Sequence, residues 1–318
     1  MRRVLVLAKA RTGSTPFIEL LASHPQIEVR GEAGELLNIE TQQLPTGTEA
    51  LYDYVDAQLA AITKKDTTAV AFKLFPDHLL ALGLRLDDLV HHCGIETIIV
   101  VWRENIVESA VSELIARATG SWHSMTEASK TERIGVEPEK LKELIEDVER
   151  DWATAFASWP IEIPPIFVQF EQLFASDTRE DINTYMAPIF HQIGVRPYDW
   201  AECYAKRQNP APMAVKVTNW SALPKELQQT TISVPNLLHK AIGQRFGLPS
   251  ELIAAVVPDR EPSPPTSGSW AYRVAEPYLP PSAVQFVQEA LETNSVSSAG
   301  VWPQRLTTRL KTIFGLFI

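Results

Sequence analysis

Cysteine is scarce in this chain of 318 residues, which has only Cys93 and Cys203. Two thiols cannot build a disulfide framework or complete a four-ligand structural zinc site, and they point to a reducing, cytoplasmic compartment. Positive charge is also in deficit, with 29 Lys and Arg against 39 Asp and Glu and a formal charge of −10. That balance argues against nucleic-acid binding, yet it leaves room for a local anion site built from a few well-placed cations. No apolar run reaches the roughly 18 residues of a membrane span. The opening Met1–Ala8 resembles the start of a signal peptide, but its apolar run is short and Lys9 and Arg11 interrupt it, so it reads as a strand. What is present, 45% hydrophobic and 21% charged residues, is the composition of a globular protein.

The hydrophobic pattern predicts an α/β fold with a central, mostly parallel sheet flanked by helices. Arg3–Ala8, Ala69–Leu74, Ile95–Trp102 and Ile166–Phe170 are short apolar runs suited to strands buried on both faces. Helical patterns follow them over Pro16–Ser23, Asp77–His92 and Asn105–Ala118, and Leu141, Leu144, Ile145, Val148, Trp152 and Phe156 mark a long amphipathic helix. Residues 36–65 and 119–136 read as loops. Seven prolines crowd residues 258–281, which cannot sustain a helix. The chain therefore divides into an α/β domain over 1–250 and a Pro-rich C-terminal extension with short helices over 251–318. The terminal Arg305–Ile318 carries three positive charges and no acid. It suits packing back onto the protein, or a peripheral contact with a membrane surface or partner.

The most informative segment is Lys9-Ala10-Arg11-Thr12-Gly13-Ser14-Thr15-Pro16, between a buried strand and a helix. Such a loop aims backbone N–H groups at an anion, and the helix dipole favours negative charge there. Gly13 allows close approach, Ser14 and Thr15 add hydroxyls, and Arg11 adds a guanidinium suited to oxyanions. The loop is not that of an ATPase, because the first Gly and the Gly-Lys pair are both missing. His91-His92-Cys93 invites a metal reading, but neighbouring helical side chains diverge by about 100° and chelate poorly, so no metal is expected.

The loop resembles the 5′-phosphosulfate-binding loop of the sulfotransferases, and the likeness runs on through Pro25 to Gly31-Glu32. It is closest to bacterial carbohydrate sulfotransferases, including the trehalose 2-sulfotransferase type. Trp102-Arg103 with Ser112 resembles the strand-end Arg and helical Ser that hold the donor's 3′-phosphate, with Ser109 as the alternative. Ala71-Phe72-Lys73-Leu74 is similar to the family's second-strand lysine segment, and Phe170-Glu171-Gln172-Leu173 to its Tyr-Glu-Asp-Leu. Lys206-Arg207-Gln208 and Val217–Leu223, with Trp220, are similar to the late segment that closes over the donor. Beyond about residue 250 the likeness stops.

The resemblance implies a P-loop-like sulfotransferase fold and an enzyme that uses 3′-phosphoadenosine 5′-phosphosulfate. A sulfuryl group would pass in line to a hydroxyl of a carbohydrate, glycolipid or other small acceptor, releasing 3′-phosphoadenosine 5′-phosphate without a metal. It implies donor contacts from Arg11, Thr12, Gly13, Ser14, Thr15, Arg103, Ser112, Arg207 and Trp220. Arg11 would also stabilise the leaving group, and the expected base is Glu32, then Glu35, then His123. Lys9 and Lys73 add cations to the same region. The alternative is a non-catalytic nucleotide-binding or partner-docking protein on a degenerate sulfotransferase fold.

Overall fold

A computed structural model describes residues 1–39, 42–120, 133–176, 178–196 and 212–246. The first half alternates β1 (Arg2–Ala8), α1 (Ser14–Ser23), β2 (Ile27–Val29), α2 (Thr48–Ala60), β3 (Ala69–Leu74), α3 (Pro76–Ala81), α4 (Leu86–His92) and β4 (Thr97–Trp102). The second half holds α5 (Ile106–Thr119), α6 (Pro138–Ala157), β5 (Pro165–Gln169), α7 (Phe170–Leu173), α8 (Arg179–Ile193), α9 (Met213–Lys216), α10 (Lys225–Gln228) and α11 (Val234–Phe246). The strands form one sheet in the order β2-β3-β1-β4-β5, and every pairing is parallel.

Strand alternation divides the core into two layers. Leu5, Leu7, Phe72, Leu74, Ile98 and Val100 face one layer, which α2 to α6 and α11 cover. Val4, Val6, Ala71, Ile99 and Val101 face the other, against Phe17, Leu20 and Leu21 of α1 and Met186 and Phe190 of α8. Both faces of β1 and β4 are thus apolar, which explains why these strands are unbroken Val, Ile and Leu runs. Among the described residues, no helix is long and apolar enough to cross a membrane.

Four sequence expectations are corrected. The helix over Asp77–His92 is two helices, separated at Leu82–Arg85 where Gly83 takes a left-handed φ of 64°. Residues 36–65 are not all loop, because α2 buries Leu51, Tyr52, Val55 and Leu59. A further strand, β2, precedes β3, so the strand expected as fourth is the fifth. That strand ends at Gln169, and Phe170 opens the short helix α7. The extension over 251–318 lies outside the described residues.

Buried acids and bases tie the layers together. Glu28 on β2 is 4% exposed and accepts hydrogen bonds from the Thr63 and Lys64 N–H groups, the Thr63 hydroxyl and Arg30. Burial alone would raise its pKa, but these donors outweigh it and hold the carboxyl down to about 2. Arg3 pairs with Asp56 and donates to the Cys93 carbonyl. The Cys93 thiol is buried, and burial pushes its pKa up to about 12, so it is an inert core group.

Candidate functional site

In parallel α/β sheets, ligands bind at the carboxyl ends of the strands. Here that edge brings together the segments that follow all five strands. The central one is Lys9–Gly13, between β1 and α1. Arg11 takes a left-handed φ of 64° and Gly13 one of 84°, so the chain turns sharply into the helix. The Thr12 hydroxyl donates to the Lys9 carbonyl at 2.7 Å and braces the turn. Phe17 N–H closes the first helical bond on the Gly13 carbonyl. Pro16 has no N–H, so the donors at the head of α1 are those of Ser14 and Thr15. α1 begins at Ser14, two residues earlier than its apolar pattern suggests.

Gly13 is also required by contact. A Cβ built there would overlap the Phe170 ring. The same ring lies under Arg103, 4.5 Å from the guanidinium carbon to the ring centroid, so one aromatic side chain touches both the Gly13 turn and Arg103.

Arg11 Nε donates to Ser112 Oγ at 3.0 Å, which ties the loop to α5. Ser109, one turn earlier, reaches the Ala10 carbonyl at 3.5 Å. Burial lowers the Arg11 pKa, Glu113 opposes the shift and the nearby Arg103 adds to it. An arginine under such pressure stays charged and gains from an arriving anion. Arg103 is 8% exposed. Its NH2 group lies 2.6 Å from Glu108 Oε2, and its Nε lies 3.7 Å from Glu171 Oε1. Glu108 also holds Lys216 Nζ at 3.2 Å.

The left half of the edge carries a second constellation. After β2 the chain makes a tight turn at Gly31, where a Cβ would collide with the Glu35 carbonyl. This turn delivers Glu35 against β3, and the Lys73 N–H donates to the Gly34 carbonyl at 2.6 Å. Glu35 is 6% exposed and Lys73 1%. Lys73 Nζ lies 2.8 Å from Glu35 Oε1 as an ion pair, not aligned as a hydrogen bond. Asn38 Nδ2 donates to Glu35 Oε2 at 2.6 Å. Burial lowers the Lys73 pKa against the pull of Glu35, and the Phe75 ring lies 4.9 Å from the ammonium. Glu32 is exposed on the same turn.

Arg11, Thr12, Gly13, Ser14, Thr15, Arg103 and Ser112 therefore converge, with Glu35 and Glu32 on the neighbouring turn. Lys9 does not join the anion site. Its ammonium is held by Asp77 at 2.9 Å and Asp151 at 2.7 Å, and these acids raise its pKa against the effect of burial. Lys9 alternates with the loop side chains and faces the α3–α6 layer. Trp220 sits half-buried on a 3-10 turn packed against that layer. No hydrogen bond among the described residues joins it to the anion loop. His123 and Arg207 lie outside the described residues. The His91-His92-Cys93 side chains diverge, with His91 on Glu162, His92 between Asp53 and Glu49, and Cys93 in the core.

Sequence reading missed Glu108, Glu171 and Lys216. Glu171 had a signal in its Tyr-Glu-Asp-Leu-like segment. Lys216, on the four-residue α9, had none. No protein-family model matches the chain, and no curated protein matches it.

Proposed function

We propose that this chain is a sulfotransferase that moves a sulfuryl group from 3′-phosphoadenosine 5′-phosphosulfate to a hydroxyl of a carbohydrate or other small acceptor. One observation carries the reading. Two arginines, the half-buried Arg11 and the buried Arg103, lie beside a glycine-pinched helix N-terminus at the carboxyl edge of the sheet, and Arg11 is bonded to Ser112. A nucleotide with anionic groups at both its 5′ and 3′ positions matches a site with two separate cations. Gly13 supports this reading through its left-handed φ of 84° and its close packing on Phe170, which set the turn into the head of α1.

In this reading Arg11 and the N–H groups of Ser14 and Thr15 hold the 5′-phosphosulfate, and Arg103 and Ser112 hold the 3′-phosphate. The acceptor oxygen bonds to sulfur as the bond from sulfur to the 5′-phosphate oxygen breaks. The acceptor's proton passes to a carboxylate, and the charge left on the 5′-phosphate is stabilised by Arg11 and the helix N-terminus. Glu35 suits the role of base better than Glu32, because Lys73 and Asn38 fix its carboxylate in place. The same anchoring favours the second reading, a nucleotide-binding protein without transfer activity, in which the Glu35–Lys73 pair is structural.

A thermal-shift comparison tests the donor site. Stabilisation by 3′-phosphoadenosine 5′-phosphate without metal is expected, and stabilisation only by Mg-ATP would overturn the proposal. Transfer of labelled sulfate to a panel of sugars then separates the enzyme from the binding protein.

A further inference from the structure

We propose that Glu171 is a positioning residue for the 3′-phosphate subsite, acting through Arg103. The inference rests on the sulfotransferase reading. β5 ends at Gln169, and the turn into α7 presents two consecutive side chains to the end of β4. Phe170 supplies the ring beneath Arg103. Glu171 reaches across with both carboxylate oxygens. Its Oε2 accepts the Glu104 N–H and its Oε1 accepts the Asn105 N–H, each at 3.1 Å, and Oε1 also lies 3.7 Å from Arg103 Nε. Gln169 Nε2 adds a bond to Glu104 Oε2 at 2.9 Å.

One carboxylate thereby hydrogen-bonds residues 104 and 105 and faces Arg103 as an ion pair rather than a hydrogen bond. Asn105 is the N-cap of α5 and accepts the Glu108 N–H at 3.0 Å, so Glu104 and Asn105 precede the helix and their N–H groups have no intrahelical acceptor. Glu108 grips the far end of the same guanidinium. With Glu171 3.7 Å from its Nε, Glu108 2.6 Å from its NH2 and a face on Phe170, Arg103 is bounded on three sides. A flexible arginine would lose side-chain freedom on binding a phosphate, and a fixed one has already lost it.

Charge counting alone predicts the opposite sign, since Glu171 is an anion beside an anion-binding cation. Removing it would then strengthen phosphate binding. The proposal holds that orientation outweighs this repulsion, and the two accounts separate in one experiment.

The full-length protein and its Glu171→Ala and Glu171→Gln variants are titrated calorimetrically with 3′-phosphoadenosine 5′-phosphate and with adenosine 5′-phosphate. Melting curves verify that the variants fold, and Gln retains an acceptor for one of the N–H groups should Ala not fold. The expected result is about a tenfold loss for the bisphosphate, the scale of one loosened charge-assisted contact. Affinity for the monophosphate should stay within about twofold, because the effect is routed through the 3′ subsite alone. Unchanged or tighter bisphosphate binding overturns the inference, as does an equal loss for both nucleotides, which marks a general structural role. A wild type that does not prefer the bisphosphate overturns the donor reading, and this inference with it.

Discussion

Glu28 offers the sharpest quantitative test of how the sheet is held. Its carboxylate is buried on the edge strand β2 and gathers donors from Thr63, Lys64 and Arg30, which pins the segment after α2 to the sheet. Those donors overcome the opposing effect of burial and depress its pKa from 4.5 to about 2. A depressed acid stabilises the fold fully above its unfolded pKa and loses that contribution as pH falls through its folded value. A shift of this size corresponds to about 3 kcal/mol, present above pH 4.5 and gone near pH 2. Glu28→Gln should therefore destabilise the protein by up to about 3 kcal/mol at neutral pH. The gap from wild type should close as pH is lowered through the window. Urea denaturation followed by tryptophan fluorescence at a series of pH values measures it, and other carboxylates cancel in the difference. A gap that stays constant from pH 6 to pH 3 would falsify the assignment of the buried charge to these hydrogen bonds.

The remaining predictions concern the site. Gly13→Ala places a side chain in a left-handed conformation and against Phe170. It should cost about 1–3 kcal/mol of stability and weaken binding of 3′-phosphoadenosine 5′-phosphate, measured by melting and calorimetry. Undiminished binding would detach the loop from the donor. Glu35→Gln should lower kcat by about 100-fold or more, with nucleotide affinity nearly unchanged, while Glu32→Gln keeps most of the activity. The reverse pattern in a sulfate-transfer assay would hand the role of base to Glu32.

Much of the fold could be read from apolar runs. β1 and β4 are buried on both faces, so nothing but a continuous Val, Ile and Leu sequence fits them. β2 escaped because it has three residues with an acid in the middle, and the donors that make Glu28 tolerable there come from residues far along the chain. α2 escaped because its apolar stripe is thin, with Leu51, Tyr52, Val55 and Leu59 amid polar residues. At the site, Arg11 and Ser112 were legible from a motif, and the structure joins them. The fate of Lys9 was not legible. Its position beside the loop suggested an anion ligand, but strand alternation turns it to the opposite layer, where Asp77 and Asp151 neutralise it. Glu28, Glu35 and Asp151 are buried acids whose partners lie elsewhere in the chain, so their burial had no local signal. Glu171 depends on β4 and β5 lying side by side, which local sequence does not state.

The strand order also dictates when the anion site can exist during folding. β1 lies at the middle of the sheet but is made first, and its neighbours arrive from far downstream. The Arg11–Ser112 bond joins residues 101 apart, and the Glu171 cap on Glu104 joins residues 67 apart. Contacts of such span form slowly, because the intervening chain must close before they contribute. On a ribosome the loop at Gly13 would emerge long before Arg103, and Arg103 before the Phe170 ring that supports it. On the proposed function, nucleotide binding would report on completion of the whole sheet, and a bisphosphate nucleotide should act as a late-stage folding ligand that stabilises only chains extending past β5.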